Sequence, residues 1–224
     1  MRVEIWGDVV CPWCYVGKAR FEKGLAAFDH RDRVEVVYRS YELDAERPRG
    51  ETSSVIDVLA KVYGCTREEA QAKEERVAAG ARGDGLPYLT EGRDHGNTFD
   101  VHRLLHLAKA RGRQRELLDV VYRTNFAEQR SVFDHEVLAE LAVEAGLDGA
   151  EARAVLADEQ AYAADVRADE REAAELGARG VPFFVVDRRF GLSGGQPPEL
   201  FTEVLQKAWQ SRPAEGADTA QARG

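Results

Sequence analysis

The sequence predicts an α/β protein in which a β-α-β segment at the front and a β-β-α segment at the back share one sheet, with a large all-helical block inserted between them. Three observations point there. Residues 2–7, 33–40 and 181–194 are rich in β-branched and aromatic side chains. The stretch from about 45 to 179 is rich in Ala, Arg, Glu and Leu at a 3.6-residue period. The simplest way to bury two β-rich ends is to join them in a single sheet.

Each element has its own signal. "RVEIWG" at 2–7 is short and β-prone, and "RVEVVYRS" at 33–40 alternates Val34, Val36 and Tyr38 with charged neighbours in the two-residue period of a strand. Between them, residues 12–29 carry Val16, Phe21, Leu25 and Phe28 at helical spacing. In the inserted block the helix-start signals are Ser53, Thr66 with Glu69, Asn97, Asp134, and Asp148 with Glu151. They predict five to seven helices.

"VPFFVVDRRFGLSG" at 181–194 reads as an antiparallel hairpin around a tight Asp187-Arg188 turn, and "PPELFTEVLQKAWQ" as a helix that tolerates Pro198 in its first turn. The expected boundaries are 1–44 and 180–211 for the sheet domain, 45–179 for the inserted helical domain, and 212–224 for a disordered tail without large apolar residues.

Composition narrows the function. The 224 residues are 44% hydrophobic and 32% charged, and no apolar run approaches the roughly 18 residues of a membrane span. A formal net charge of −9 argues against phosphate backbones, so neither nucleic acid nor membrane is expected as a partner. "MRVEIWGDVV" is interrupted by Glu4 and Asp8 and lacks the apolar core of a signal peptide, which places the protein in the cytoplasm.

Three cysteines do not make a disulfide framework, and the close pair Cys11 and Cys14 reads as catalytic or metal-binding. Cys11 follows a predicted strand and stands at a helix start, where unpaired N–H groups and the helix dipole favour a thiolate. That position can lower a thiol pKa from about 8.5 into a range of roughly 3.5 to 7.5. Pro12 opens the helix without wasting a needed N–H. Cys14, one turn on, can resolve a mixed disulfide that Cys11 forms. Structural zinc wants four ligands, and no second Cys or His pair follows at finger-like spacing, so no metal is expected.

Other features have plainer readings. His102 and His106 share a helix face, but Phe99, Leu104, Leu105 and Leu107 supply a core there, and packing outweighs metal binding. Cys65 reads as a small buried hydrophobe, Glu4 and Asp8 as exposed acids at a strand end, and "DEREAAELGARG" at 169–180 as a solvated helix face. Trp6 is expected to pack in the sheet. Trp13, beside the reactive sulfur, is expected to offer an apolar contact to a substrate.

Three ordered motifs, "DVVCPWCYVGK", "NTFDVHRLLHLAKARG" at 97–112 and "GVPFFVVDRRFGLSGGQ" at 180–196, resemble the DsbA-like branch of thioredoxin-fold oxidoreductases, in particular FrnE-like proteins. Related families are the kappa glutathione transferases and 2-hydroxychromene-2-carboxylate isomerases. The resemblance spans residues 2 to about 210 and implies a thioredoxin-like fold with an inserted helical domain. It implies a cis Pro182 whose neighbour Val181 turns its backbone towards substrate, and a groove to which Asn97, Phe99 and His102 contribute. It further implies disulfide exchange with protein or small-molecule thiols through Cys11 and Cys14, with no bound cofactor and glutathione as a candidate co-substrate.

The sequence departs from the strongly oxidising members of that family in two places. Pro-Trp replaces Pro-His between the cysteines, and Ile5 stands where many relatives hold a buried acid. Two alternatives stay open: a glutathione-dependent isomerase or transferase acting on a small aromatic or polyketide-like substrate, and a non-catalytic or zinc-loaded binding module.

Overall fold

The computed structural model describes residues 1–128 and 130–212, so residues 213–224 of the predicted tail lie outside the described residues. The chain opens with β1 (Arg2–Gly7), α1 (Pro12–Ala26) and β2 (Glu35–Ser40). It continues through β3 (Ser53–Ser54), α2 (Val55–Tyr63), α3 (Arg67–Gly83), β4 (Asp94–His95), α4 (Phe99–Ala110), α5 (Gln114–Ala127), α6 (His135–Glu144), α7 (Gly149–Ala157) and α8 (Ala163–Glu175). It closes with β5 (Phe183–Val186), β6 (Phe190–Ser193) and α9 (Pro198–Gln210).

The two β-rich ends meet in one four-stranded sheet of order β2-β1-β5-β6, parallel between β1 and β2 and antiparallel elsewhere. The two-residue period of β1 sorts its side chains. Val3 and Ile5, opposite Val186 and Phe184, lie in the main core with α1 and α9. There Phe21, Phe184 and Phe201 pack ring to ring with centroids 4.7 to 5.6 Å apart. Gly24 lets α1 and α9 touch: a Cβ there would lie 2.5 Å from the Pro198 carbonyl oxygen.

Glu4 and Trp6 point to the other face, where Trp6 packs with Phe183, Val185 and Ala173 of α8 and donates from Nε1 to the Asp169 carbonyl at 2.8 Å. This face corrects two expectations. Glu4 is 1% exposed and Asp169 2%, not solvated. Arg39 bonds both carboxylates, Arg188 reaches Glu4 at 2.9 Å, and the Ser40 N–H donates to Asp169 at 3.0 Å. Buried carboxylates are tolerable when paired and hydrogen-bonded in this way.

Among the described residues, seven helices, α2 to α8, stand between β2 and β5, with the two-residue strands β3 and β4 paired among them. The capping box at Thr66 and Glu69 is formed, and Asp134 and Asp148 cap α6 and α7. Two starts fall one residue later than predicted, at Ser54 and Thr98, and α1 stops at Ala26, although Phe28 just beyond still packs in the core. Leu104, Leu107, Leu117, Val121, Leu138 and Leu141 fill the space between α4, α5 and α6.

Arg103 is fully buried among them. Its guanidinium satisfies carbonyls at the end of α7, Val155 at 2.6 Å and Asp158 at 2.7 Å, and pairs with Asp100. Tyr15 of α1 stacks on Phe126 of α5 at 4.8 Å, so the sheet end and the helical block share one core. At the hairpin, Asp187 and Arg188 take φ of 47° and 56°, as a tight turn between right-twisted strands requires. No helix of the described residues is long and apolar enough to cross a membrane.

Candidate active site

The loop after β1 and the loop before β5 come together because those strands are antiparallel neighbours, with Trp6 opposite Phe183. Cys11 is the N-cap of α1, with extended backbone (φ −79°, ψ 114°) and Pro12 as the first helical residue. Its carbonyl accepts from the Cys14 N–H at 3.0 Å and the Tyr15 N–H at 3.2 Å. Its own N–H donates to the Asp8 carbonyl at 3.2 Å. The Cys11 thiol faces the Val181 carbonyl oxygen at 3.7 Å, and the Val181–Pro182 peptide bond is cis. Cys11, Cys14, Pro12, Val181 and Pro182 therefore form one cluster, while Cys65 stands half-buried between α2 and α3.

The two sulfurs are unlike. A hydrogen bond from the Cys14 thiol, joined by the N–H groups of Cys14 and Trp13, holds the Cys11 pKa below the ordinary thiol value against burial and the Asp8 charge. Burial pushes Cys14 well above that value, and donation to Cys11 holds its proton further. Of the two thiols, Cys11 is the one that gives up its proton more readily.

Asp8, the acid read as exposed, is 1% exposed. Its carboxylate accepts from the Leu43 N–H at 2.7 Å and lies 3.3 Å from His102 Nε2. Burial disfavours charge on His102, yet the carboxylates of Asp8, Glu42 and Glu170 outweigh it and raise its pKa. A cavity of about 20 Å³ touches Cys14, His102, Tyr122 and Pro182, which is room for one water molecule. Among the described residues, the buried side-chain polar atoms without a hydrogen-bond partner are His102 Nδ1 and Glu42 Oε1. His106 is otherwise engaged: its Nε2 meets Ser40 Oγ at 3.1 Å and Asp169 at 3.2 Å.

A groove of about 570 Å³ opens beside Cys11, lined by Val10, Pro12, Trp13 and Leu43 on one side and by residues of α2, α3 and β4 on the other. Trp13, 46% exposed, lines it. Asn97, Phe99 and His102 do not. Asn97 faces a separate cleft and bonds the Arg47 carbonyl at 2.9 Å. Phe99 is buried beneath Arg49 and Arg167, and His102 sits on the inner side of the cysteines. Val55, Val58, Leu59 and Val62 of the α2 wall have the helical spacing of a core-facing stripe, so the sequence pattern alone does not mark them as groove residues.

A family model described as a DSBA-like thioredoxin domain matches residues 2–206. The crystal structure of a probable DsbA oxidoreductase from Streptomyces coelicolor is 63% identical, with a TM-score of 0.92 over 95% of this chain and 92% of that one. Cytosolic disulfide reductase DsbM from Pseudomonas aeruginosa, solved with GSH, is 21% identical, with a TM-score of 0.65 over 94% of this chain and 100% of that one, a likeness of fold. Protein YwbO of Bacillus subtilis is 26% identical over 186 residues, 83% of this chain and 86% of its own. With the family match running from β1 into α9 and a relative 63% identical along nearly its whole length, the chain belongs to the DSBA-like thioredoxin domain family.

Proposed function

We propose that the protein is a thiol-disulfide oxidoreductase whose redox centre is the Cys11-Pro12-Trp13-Cys14 loop, exchanging disulfides with protein or small-molecule thiols. The observation that carries this is the asymmetry of the pair: Cys11 at a helix N-terminus with a lowered pKa, and Cys14 behind it with a raised one. In the reducing direction the Cys11 thiolate attacks a substrate disulfide and expels one thiolate. Cys14 then gives up its proton and attacks the Cys11 sulfur, which releases the second thiolate and leaves the Cys11–Cys14 disulfide. An external thiol restores the reduced pair. In the oxidising direction the same steps run backwards.

The two sulfurs store the electron pair, so no bound cofactor enters. A cytoplasmic setting, where thiols are kept reduced, favours reduction or isomerisation over net oxidation. The intact pair disfavours a glutathione-dependent isomerase or transferase, because those relatives usually replace the second cysteine.

The test is the reduction potential of the pair in glutathione buffers, together with insulin reduction by Cys11→Ser and Cys14→Ser. A two-electron transition is expected, near −270 mV for a thioredoxin-like reductant and near −120 mV for a strong oxidant. Cys11→Ser should abolish activity and Cys14→Ser should trap mixed disulfides. Wild-type turnover in both variants would sink the reading.

A further inference from the structure

The apolar stripe of α2 is not spent on the core. Val55, Val58, Leu59 and Val62 recur at helical spacing, yet Ile56 is the buried residue of that helix, and the four line the groove beside Cys11. Trp13, Leu43, Val62 and Tyr63, large apolar side chains 46 to 69% exposed, line the same groove. A surface that leaves this much apolar area together marks a binding site.

α3 adds charge. Lys73, Arg76 and Val77 occupy one helix face and, with Trp13 and Tyr63, close a side recess. Trp13, Tyr63, Lys73 and Val77 line both spaces, so recess and groove are continuous. The Lys73 ammonium sits 5.2 Å from the Tyr63 ring centroid. Among the described residues, Lys73 and Arg76 make no ion pair, whereas Arg67, Arg82 and Arg93 nearby pair with Asp57, Glu75 and Glu74. The groove's acids, Asp44, Glu74 and Asp94, do not line the recess. Two like charges one turn apart repel, and an anion between them removes that cost.

Resting on the reading of Cys11 as the attacking thiolate, we infer that the groove takes a small disulfide with an apolar body and a carboxylate. The carboxylate sits on Lys73 and Arg76, the body against the α2 stripe and Trp13, and the disulfide at Cys11. A volume of about 570 Å³ is that of a small-ligand site. The Cys11 thiolate forms a bond to one sulfur of the ligand, the ligand's S–S bond breaks, and the departing thiolate carries away the electron pair. Attack by Cys14, with loss of its proton, frees the second thiolate.

The experiment uses the reduced full chain in a Cys65→Ser background, so that the Cys11–Cys14 pair reports. Second-order rate constants are measured by stopped flow with 5,5′-dithiobis(2-nitrobenzoate), an aromatic carboxylate disulfide, and 4,4′-dithiodipyridine, its uncharged counterpart. The ratio of the two rates should fall at least tenfold in Lys73→Glu/Arg76→Glu. It should stay within threefold in Arg111→Glu/Arg153→Glu, which makes the same charge change at positions lining none of the cavities described. An unchanged ratio in the first variant, or an equal fall in the second, overturns the inference. So does slower insulin reduction by the first variant with both small-probe rates intact, which would assign the cations to polypeptide. Failure of the underlying reading has a separate signature: Cys11→Ser would then react with the uncharged probe as fast as wild type.

Discussion

Gly17 lies directly beneath Pro182: a Cβ at Gly17 would stand 2.9 Å from the proline Cγ and 3.3 Å from the Gly195 backbone. The second turn of α1 is thus pressed against the loop that faces Cys11, and the close approach depends on a missing side chain. Gly17→Ala should lift that loop away from the sulfur, lowering stability by about 1 to 3 kcal/mol, the usual range for overpacking, and slowing disulfide exchange. Thermal unfolding and kcat/KM measured together check it. No change in either would mean the loop yields freely.

The hydrogen bond from Cys14 is the largest cause of the lowered Cys11 pKa. Cys14→Ala should therefore move the pH midpoint of Cys11 alkylation by iodoacetamide upward, towards the ordinary thiol range near 8.5. A midpoint that stays put would transfer the effect to the backbone N–H groups of α1.

His102 has a folded-state pKa above its ordinary 6.5, held up by Asp8, Glu42 and Glu170 against burial. A group raised on folding contributes stability that is complete below its unfolded pKa and is lost as pH rises through the folded one. The stability of wild type in urea should fall as pH climbs from 6.5 through that value, and His102→Gln should lack that component. Parallel pH profiles would show that His102 is neutral in the fold.

Arg103 ties α4 to the end of α7 through bonds to Val155 and Asp158 carbonyls. Arg103→Met keeps bulk but leaves the buried Val155 carbonyl without its donor, the Asp158 carbonyl with the Ala161 N–H alone, and Asp100 without its guanidinium, and should cost about 3 kcal/mol or more. The expected reading is a lower urea midpoint with an unchanged slope; a shift under about 0.5 kcal/mol, the size of an ordinary surface substitution, would contradict it.

The frame of the fold was legible because its signals are local: alternation in 33–40, the Asp187-Arg188 turn, the Thr66 and Glu69 box. Cys11 at a helix start was legible for the same reason. What stayed hidden depends on partners far along the chain. Glu4 and Asp8 look like ordinary exposed acids until Arg39 and Arg188 reach one and His102, 94 residues away, reaches the other. Asn97 and His102 occur in a motif that resembles the family's, yet Asn97 turns to the Arg47 carbonyl and His102 to Asp8. The α2 stripe carries the pattern of a core helix, and only the position of α2 beside Trp13 turns it into a groove wall.

Cys11 and Val181, whose atoms meet at 3.7 Å, are 170 residues apart in sequence. At roughly 5 to 20 residues per second, the ribosome needs on the order of 10 to 30 s to travel between them. Throughout that interval Cys11 is already part of the nascent chain while the strand that brings Val181 and Pro182 to it has yet to be made. The Cys11 thiol is therefore made well before the Val181–Pro182 segment that packs against it, and that contact is completed in the last fifth of the chain. A chain released before β5 would carry the cysteines without the partner loop.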